Sequence, residues 1–392
     1  MRVTITTPGR FPPAFFAARH HERRGELARI VSPVPFARTA AYGVSRQRTV
    51  SMTPLGVWNR LVQRSAPRSM QSAHQLAFSV AFDEAASRSL GDCTVVNAWC
   101  STALRTIRAA HGRGIPVVLE AASAHVVEQA NILRAEHDRW GLRPPSISDG
   151  VLARTVAEYA EADRIVVMSE YSRRTFIEHG VAASKIVVVP CGVDLPAMPI
   201  ADRAVHDGPV RVLFVGGCSV RKGIPYLFEA MRSLRGDVSL RLVGTPDRAL
   251  FDALGGVPPR TDVVGSRTGR ALADEYAGAD IFVLPSVEDG FGMVAAEAMA
   301  AGLPVIVSDC AGSAGVVEDG VSGFIVPARD AAALAGRIDD LVRDAALRRR
   351  LGAAGHSSVR SRSWDAYGRE RAEAVWRPLI DITERRANAV AA

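Results

Sequence analysis

Short aliphatic runs recur along the chain, among them Arg164 to Met168 (RIVVM), Lys185 to Pro190 (KIVVVP), Val210 to Val215 (VRVLFV) and Ile281 to Leu284 (IFVL). Each is β-prone, and helix-forming stretches lie between them. The alternation occurs over residues 1–200 and again from Val210 onward, which predicts two doubly wound parallel α/β sheets. Such sheets bind ligands beyond the C-terminal ends of their strands, so the turns after the strands are where chemistry is expected.

The stretch from Ile281 to Gly302 (IFVLPSVEDGFGMVAAEAMAAG) shows the layout at its clearest. An apolar strand ends at Pro285, and the turn Ser286 to Gly292 holds two carboxylates and two glycines. Strong helix formers then run from Met293 to Ala301 and stop at Gly302, a natural C-cap. Strand, glycine turn and helix put free backbone N–H groups and a positive dipole end at the mouth of a crevice, which suits a phosphate. Asp289 precedes the helix and Glu297 lies inside it, roughly 7–8 Å of helical rise beyond Gly292. One elongated anionic ligand could meet the helix N-terminus and both carboxylates.

A second turn, Gly216-Gly217-Cys218-Ser219-Val220-Arg221-Lys222-Gly223, follows the strand VRVLFV and places two cations at a helix start. Only Lys185 and Lys222 are lysine among 48 basic residues, so Lys222 stands against the drift of the composition. The turn is not a Walker A loop, and no GxGxxG follows the opening strand, which argues against a dinucleotide oxidoreductase. Taken alone, such a turn is more often plain surface. Beside the Asp289–Glu297 segment it describes a crevice with cations for a diphosphate and carboxylates for hydroxyls. No Asp-x-Asp metal motif occurs, so the expected charge neutralisation comes from side chains, with no metal and no cofactor.

At 392 residues the chain calls for two domains, with a linker near Leu195 to Pro209. Mean hydropathy is +0.08, no run of about 18 uncharged apolar residues occurs, and MRVTITTPGRF lacks the apolar stretch of a secretory signal. Five dispersed cysteines without metal spacing point to reduced thiols and a cytoplasmic address. Residues 1–200 carry 24 Lys+Arg against 16 Asp+Glu, whereas the remainder is near balance. An anionic partner is one reading of that front half, a lipid headgroup surface or an acidic acceptor; a solvated arginine-rich face is the other. Nothing in the motifs supports nucleic acid. Val31 to Pro35 reads as the second strand, Phe36 to Ala73 as a mobile surface loop with one short helix, and Phe78 to Leu90 as a helix. The stretch from Trp364 to Trp376 reads as a helix able to cross back to the first domain.

The segments VEDGFGMVAAEAMAAGLPVIVSD, GVVEDGVSGFIVP, FVGGCSVRKGIPYLFEA, MSEYSRRTFIEHG and KIVVVPCGVDL resemble the retaining glycosyltransferases of family 4, over most of the chain from about Asp92 to Trp376. The resemblance implies a GT-B fold, two Rossmann-like domains facing across a cleft. Residues 1–200 would form the acceptor-side domain and 205–363 the nucleotide-sugar domain, with a tail of about 364–392 packing back on the first. It implies transfer of a sugar from a nucleoside-diphosphate sugar to a hydroxyl of a glycan, lipid or small molecule, with retention of anomeric configuration. Glu297 then holds the donor ribose, and Asp289 with the N–H groups of Gly290, Phe291, Gly292 and Met293 meets the transferred sugar. The family has Glu where this chain has Asp289, so either the sugar sits differently or Glu288 contributes. Gly217 replaces a usual Arg beside Gly216, and Arg221 with Lys222 would supply the missing charge. Cys191 stands where Asn is common. His125 matches a family position near the donor sugar and joins Asp289, Arg221 and Lys222 as a catalytic candidate. Glu120, Glu170, Gly9 and Arg10 are candidates for the acceptor side or cleft. A nucleotide-sugar epimerase of similar fold and a catalytically silent binding subunit are the alternatives.

Overall fold

The computed structural model describes residues 1–65, 67–145, 147–194 and 208–379. Seven strands form the first sheet: β1 (Val3–Thr6), β2 (Leu27–Ser32), β3 (Thr49–Ser51), β4 (Val95–Trp99), β5 (Val117–Ala121), β6 (Arg164–Val167) and β7 (Ile186–Val188), in the order β3-β2-β1-β4-β5-β6-β7. Six form the second: β8 (Val210–Val215), β9 (Val238–Val243), β10 (Thr261–Val263), β11 (Ile281–Leu284), β12 (Val305–Ser308) and β13 (Phe324–Val326), in the order β10-β9-β8-β11-β12-β13. Every pairing is parallel. Strand order reverses between β1 and β4 in one sheet and between β8 and β11 in the other, and a crevice opens at such a switch point. The turns after β8 and β11 are the two that the sequence singles out.

β11 shows why these runs become strands. Ile281, Phe282, Val283 and Leu284 are all fully buried between β8 and β12 with helices on both faces. Each contributes about 1.5–3 kcal/mol by leaving water. Bounds elsewhere shift for local reasons. The second strand is Leu27–Ser32 rather than Val31 to Pro35, because Pro33 and Pro35 have no N–H for the ladder.

The expected loop from Phe36 to Ala73 is instead structured. It contains a helix at Phe36–Ala40, the edge strand β3, a helix at Thr53–Ser65 and the start of another at Arg68–Ser87. Val50, Met52 and Leu55 pack on Val31, Phe78 and Phe82, so tertiary contacts stabilise a stretch with little local signal. The Arg68–Ser87 helix also starts ten residues before the expected Phe78.

The Trp364–Arg371 helix continues through a π-helical turn, Ala372–Trp376, and lies on the Pro12–Arg23 helix. Trp364 stacks on Phe16 at 4.2 Å between ring centres, Trp376 meets His21 at 4.3 Å, and Arg19 pairs with Asp365 at 2.9 Å. Val193 bridges to Ser363, so the two chain passages between the halves run side by side. Most of the expected linker and positions 380–392 of the expected tail lie outside the described residues. Among the described residues no helix is long and apolar enough to cross a membrane.

Candidate active site

Gly292, with φ +74°, is the N-cap of the Met293–Ala300 helix, and no side chain caps that end. Its first N–H groups are therefore available to an anion. Just before it, Asp289 is 6% exposed and pairs with the Lys222 ammonium. Gly223 makes that pairing possible. It has φ +73°, and a Cβ there would lie 1.8 Å from the Pro285 carbonyl oxygen. Only glycine lets the two turns lock back to back, with Val287 N–H donating to the Arg221 carbonyl at 2.9 Å.

Arg221 points elsewhere. Its Nε donates to Glu288 Oε2 at 2.5 Å and its Nη2 to Ser123 Oγ at 3.4 Å. Glu288 is fully buried and also accepts from the Ala124 N–H at 2.9 Å and from Gln129 Nε2 at 2.8 Å. Burial opposes the Arg221 charge, but Glu288 and Asp289 outweigh it and hold the guanidinium protonated. The adjacent cations of the sequence are thus divided: Lys222 faces Asp289, while Arg221 joins the two halves. Glu288 belongs to that joint and does not share the place of Asp289.

Glu297 is partly buried, and Tyr276 donates its hydroxyl to Oε2 at 2.9 Å. Burial pushes its pKa above the usual carboxylate range, and the Asp194 charge adds to the shift. The glycines are used mostly for packing protein on protein. A Cβ on Gly290 would sit 2.0 Å from the Ala122 carbonyl oxygen, and the Gly290 carbonyl accepts from Ser169 Oγ at 2.7 Å. Gly216 lies against Gly244, and Phe291 is buried. Gly217 is exposed with open space at its Cβ position, and Met293 is partly buried.

Two first-half candidates are placed differently from their expected roles. His125 is 4% exposed; it caps the Val126–Arg139 helix and stacks on His179 at 4.5 Å beside Tyr159 and Phe176. Burial, with His179 nearby, lowers its pKa to about 4, so it is a neutral packed ring rather than an open catalytic group. A lowered histidine pKa contributes stability that is full above about 6.5 and is lost as pH falls toward 4. His125→Leu should flatten the loss of thermal stability in that window, as melts at pH 7, 5.5 and 4 would register. Glu120 is the second correction. It is 1% exposed, and its carboxylate pairs with Arg371 of the C-terminal helix. Gly9 lies against the Phe11 ring, and Arg10 donates to the Tyr42 hydroxyl at 3.3 Å on the surface. Glu170 is exposed and lines a cavity of about 590 Å³ between the halves, with Tyr171, Arg174, Asp309, Gly312 and Gly315.

Ser313 and Tyr276 were not legible as site residues. Ser313 is fully buried with a hydroxyl that has no hydrogen-bond partner among the described residues. A Cβ on Gly292 would be 3.3 Å from that oxygen and 3.2 Å from Asp289 Oδ2, so both crowd one corner. Neither residue has a motif, and only the fold brings them in.

Residues 7–196 match the family described as "Glycosyltransferase Family 4", and residues 209–344 match "Glycosyl transferases group 1". The chain belongs to the family 4 glycosyltransferases. Among its curated relatives is a D-inositol 3-phosphate glycosyltransferase of Geodermatophilus obscurus, 33% identical over 54% of this chain and 53% of its own length. Another is a phosphatidyl-myo-inositol mannosyltransferase of Mycobacterium leprae, 34% identical over 51% of this chain and 55% of that protein. The chain spans about half the length of these relatives. Among solved structures, sucrose-phosphate synthase from Thermosynechococcus elongatus aligns with TM-score 0.70 at 21% identity, over 95% of this chain and 98% of that one. Anabaena HepE in complex with UDP and glucose aligns equally well, at 17% identity over 96% and 99%. At such identities the likeness shows the fold, which is GT-B.

Proposed function

We propose that this glycosyltransferase moves a sugar from a nucleoside-diphosphate sugar to an acceptor hydroxyl with retention of anomeric configuration. The observation that carries the reading is the Lys222–Asp289 pair beside the uncapped N-terminus of the Met293–Ala300 helix, with Glu297 farther along the same helix. The donor diphosphate takes the helix N-terminus and Lys222, and Glu297 accepts from the ribose hydroxyls. As the bond from the anomeric carbon to phosphate breaks, Lys222 and the helix dipole stabilise the departing charge without a metal. The acceptor oxygen then bonds on the face the phosphate leaves, and its proton passes to the departing phosphate oxygen. In this reading Asp289 orients the sugar, and Arg221 acts by holding the halves together.

Residues 205–363 form the donor domain and 1–200 the acceptor domain. The inositol phosphates named for the relatives, together with the basic front half, support a phosphorylated polyol or its lipid as acceptor. Five unpaired cysteines support a cytoplasmic address, with peripheral contact at an anionic inner membrane face.

Incubation with UDP-, GDP- and ADP-sugars should release nucleoside diphosphate from one donor class. Binding without release, across donors and acceptors, would identify a silent subunit instead. Hydrogen bonds to a charged group contribute about 1.5–3 kcal/mol each. Glu297→Ala should therefore raise the donor KM by about tenfold to a hundredfold with the melting temperature little changed. Tyr276→Phe, which removes only the supporting hydroxyl, should have a smaller effect in the same titration.

A further inference from the structure

The Thr53–Ser65 helix has two apolar faces, and the fold covers one. Leu55 packs toward Val31, Phe78 and Phe82, and Asn59 Oδ1 meets His74 Nε2 at 2.9 Å on the Arg68–Ser87 helix. On another face Val57, Trp58 and Leu61 are 41%, 39% and 60% exposed, and Met70 at the start of the next helix is 59% exposed. The positions 57, 58 and 61 form one stripe at helical spacing. Four of the eleven large hydrophobics exposed among the described residues thus fall within residues 57–70, which is a patch rather than scatter. The pair of helices follows β3, the outermost strand of the first sheet, and among the described residues no strand lies beyond it.

Charge identifies what covers this face. Residues 27–82 contain seven arginines, Arg29, Arg38, Arg46, Arg48, Arg60, Arg64 and Arg68, and not one Asp or Glu. Arg60 is exposed beside the stripe. A basic helix with Trp, Leu and Val on one side and no acids is the chemistry of an element lying in the headgroup layer of an anionic bilayer. The acids of the second helix, Asp83 and Glu84, lie toward its far end, where Asp83 is fully buried and Glu84 pairs with Arg88 and Arg105, so neither offsets the arginines around the stripe.

Position adds a reason. Gln71, next to Met70, lines a cavity of about 240 Å³ with His137, Arg143 and Pro144 of the first half and Asp247 and Ala249 of the second. The tip of the helical pair therefore stands at one mouth of the cleft between the halves.

We infer that the helical hairpin 53–87 inserts the Val57–Trp58–Leu61 stripe and Met70 into an anionic membrane surface, setting the cleft mouth at the headgroup plane. This deepens the peripheral-contact part of the proposed function and is read independently of donor chemistry. In sedimentation with phosphatidylglycerol/phosphatidylcholine vesicles, the full chain should bind at low salt and bind at least tenfold more weakly at 0.5 M salt or to pure phosphatidylcholine. Binding should shift Trp58 emission to the blue in a Trp140→Phe background, since Trp99, Trp364 and Trp376 are buried already and Trp140 is only partly so. Leu61→Ser/Met70→Ser and, separately, Arg60→Glu should each weaken vesicle binding at least tenfold, with melting temperature and donor hydrolysis unchanged. The inference is overturned if the wild type ignores anionic vesicles or if both variants bind like it. It is equally overturned if light scattering shows a dimer that Leu61→Ser/Met70→Ser dissolves without changing vesicle binding. Loss of donor hydrolysis with vesicle binding intact would instead count against the transferase reading alone.

Discussion

Lys222→Ala is expected to lower sugar transfer by about 10²–10³-fold, the range seen when one preorganised donor to a developing anion is removed. The Lys222 side chain is 20% exposed and pairs with the largely buried Asp289, so its ammonium sits in a partly dried corner where its charge is weakly screened. The variant also leaves Asp289 buried without its cation, which costs about 1–3 kcal/mol or more. Two effects are therefore superimposed, and a second substitution separates them. Lys222→Ala/Asp289→Asn should recover most of the lost melting temperature but none of the lost turnover. If the double variant regained activity along with stability, Lys222 would be a structural partner of Asp289 and the leaving-group role would fall. Lys222→Arg should be intermediate, because a guanidinium fork cannot reproduce a point charge held by one carboxylate.

Glu120→Ala is expected to destabilise the protein by about 3–5 kcal/mol, the usual cost of stranding one partner of a buried ion pair. That corresponds to a fall in melting temperature on the order of 10 °C. Arg371 is 1% exposed; burial opposes its charge, and Glu120 with Tyr367 keeps it protonated. After the substitution Asn97 Oδ1 and the Tyr367 hydroxyl, each 2.8 Å away, still accept from the guanidinium, but neither neutralises it. Glu120→Leu/Arg371→Met should restore most of the stability, since an apolar pair of similar volume replaces a buried ion pair at little cost. Thermal melts of the wild type and the two variants decide between two readings of Glu120. A carboxylate that binds acceptor would lower turnover and leave the melt in place. One that anchors the C-terminal helix does the reverse.

The parts legible in the sequence are those whose cause is local. β11 and β12 are found at their observed bounds, Ile281–Leu284 and Val305–Ser308, because a run of buried β-branched and aliphatic residues is its own signal. Within Phe36 to Ala73 the sequence shows only one short helix, whereas the Thr53–Ser65 helix has 13 residues; its Val57–Trp58–Leu61 stripe stays largely exposed, with Trp58 edge-on to His74 at 4.6 Å, and three-residue β3 is too short to show a period. Candidate residues divide in the same way. Lys222, Asp289 and Glu297 stand in turns and on a helix whose geometry follows from nearby glycines. Arg221, Glu120 and His125 acquire their surroundings from chain segments 50 to 251 positions away.

The sequence by itself determined two parallel α/β sheets, the two phosphate-friendly turns after VRVLFV and IFVL, and membership of the glycosyltransferase family. Only the tertiary structure decided which charged side chains stay available for a ligand. Neighbours in a tight turn point in different directions, so Arg221 and Lys222 share a dipeptide yet meet different carboxylates. A buried charge must also find its counter-ion, and the fold supplies it from a distance: Glu288 for Arg221, Arg371 for Glu120. Burial and pairing remove a group from the active list for physical reasons that no local pattern records.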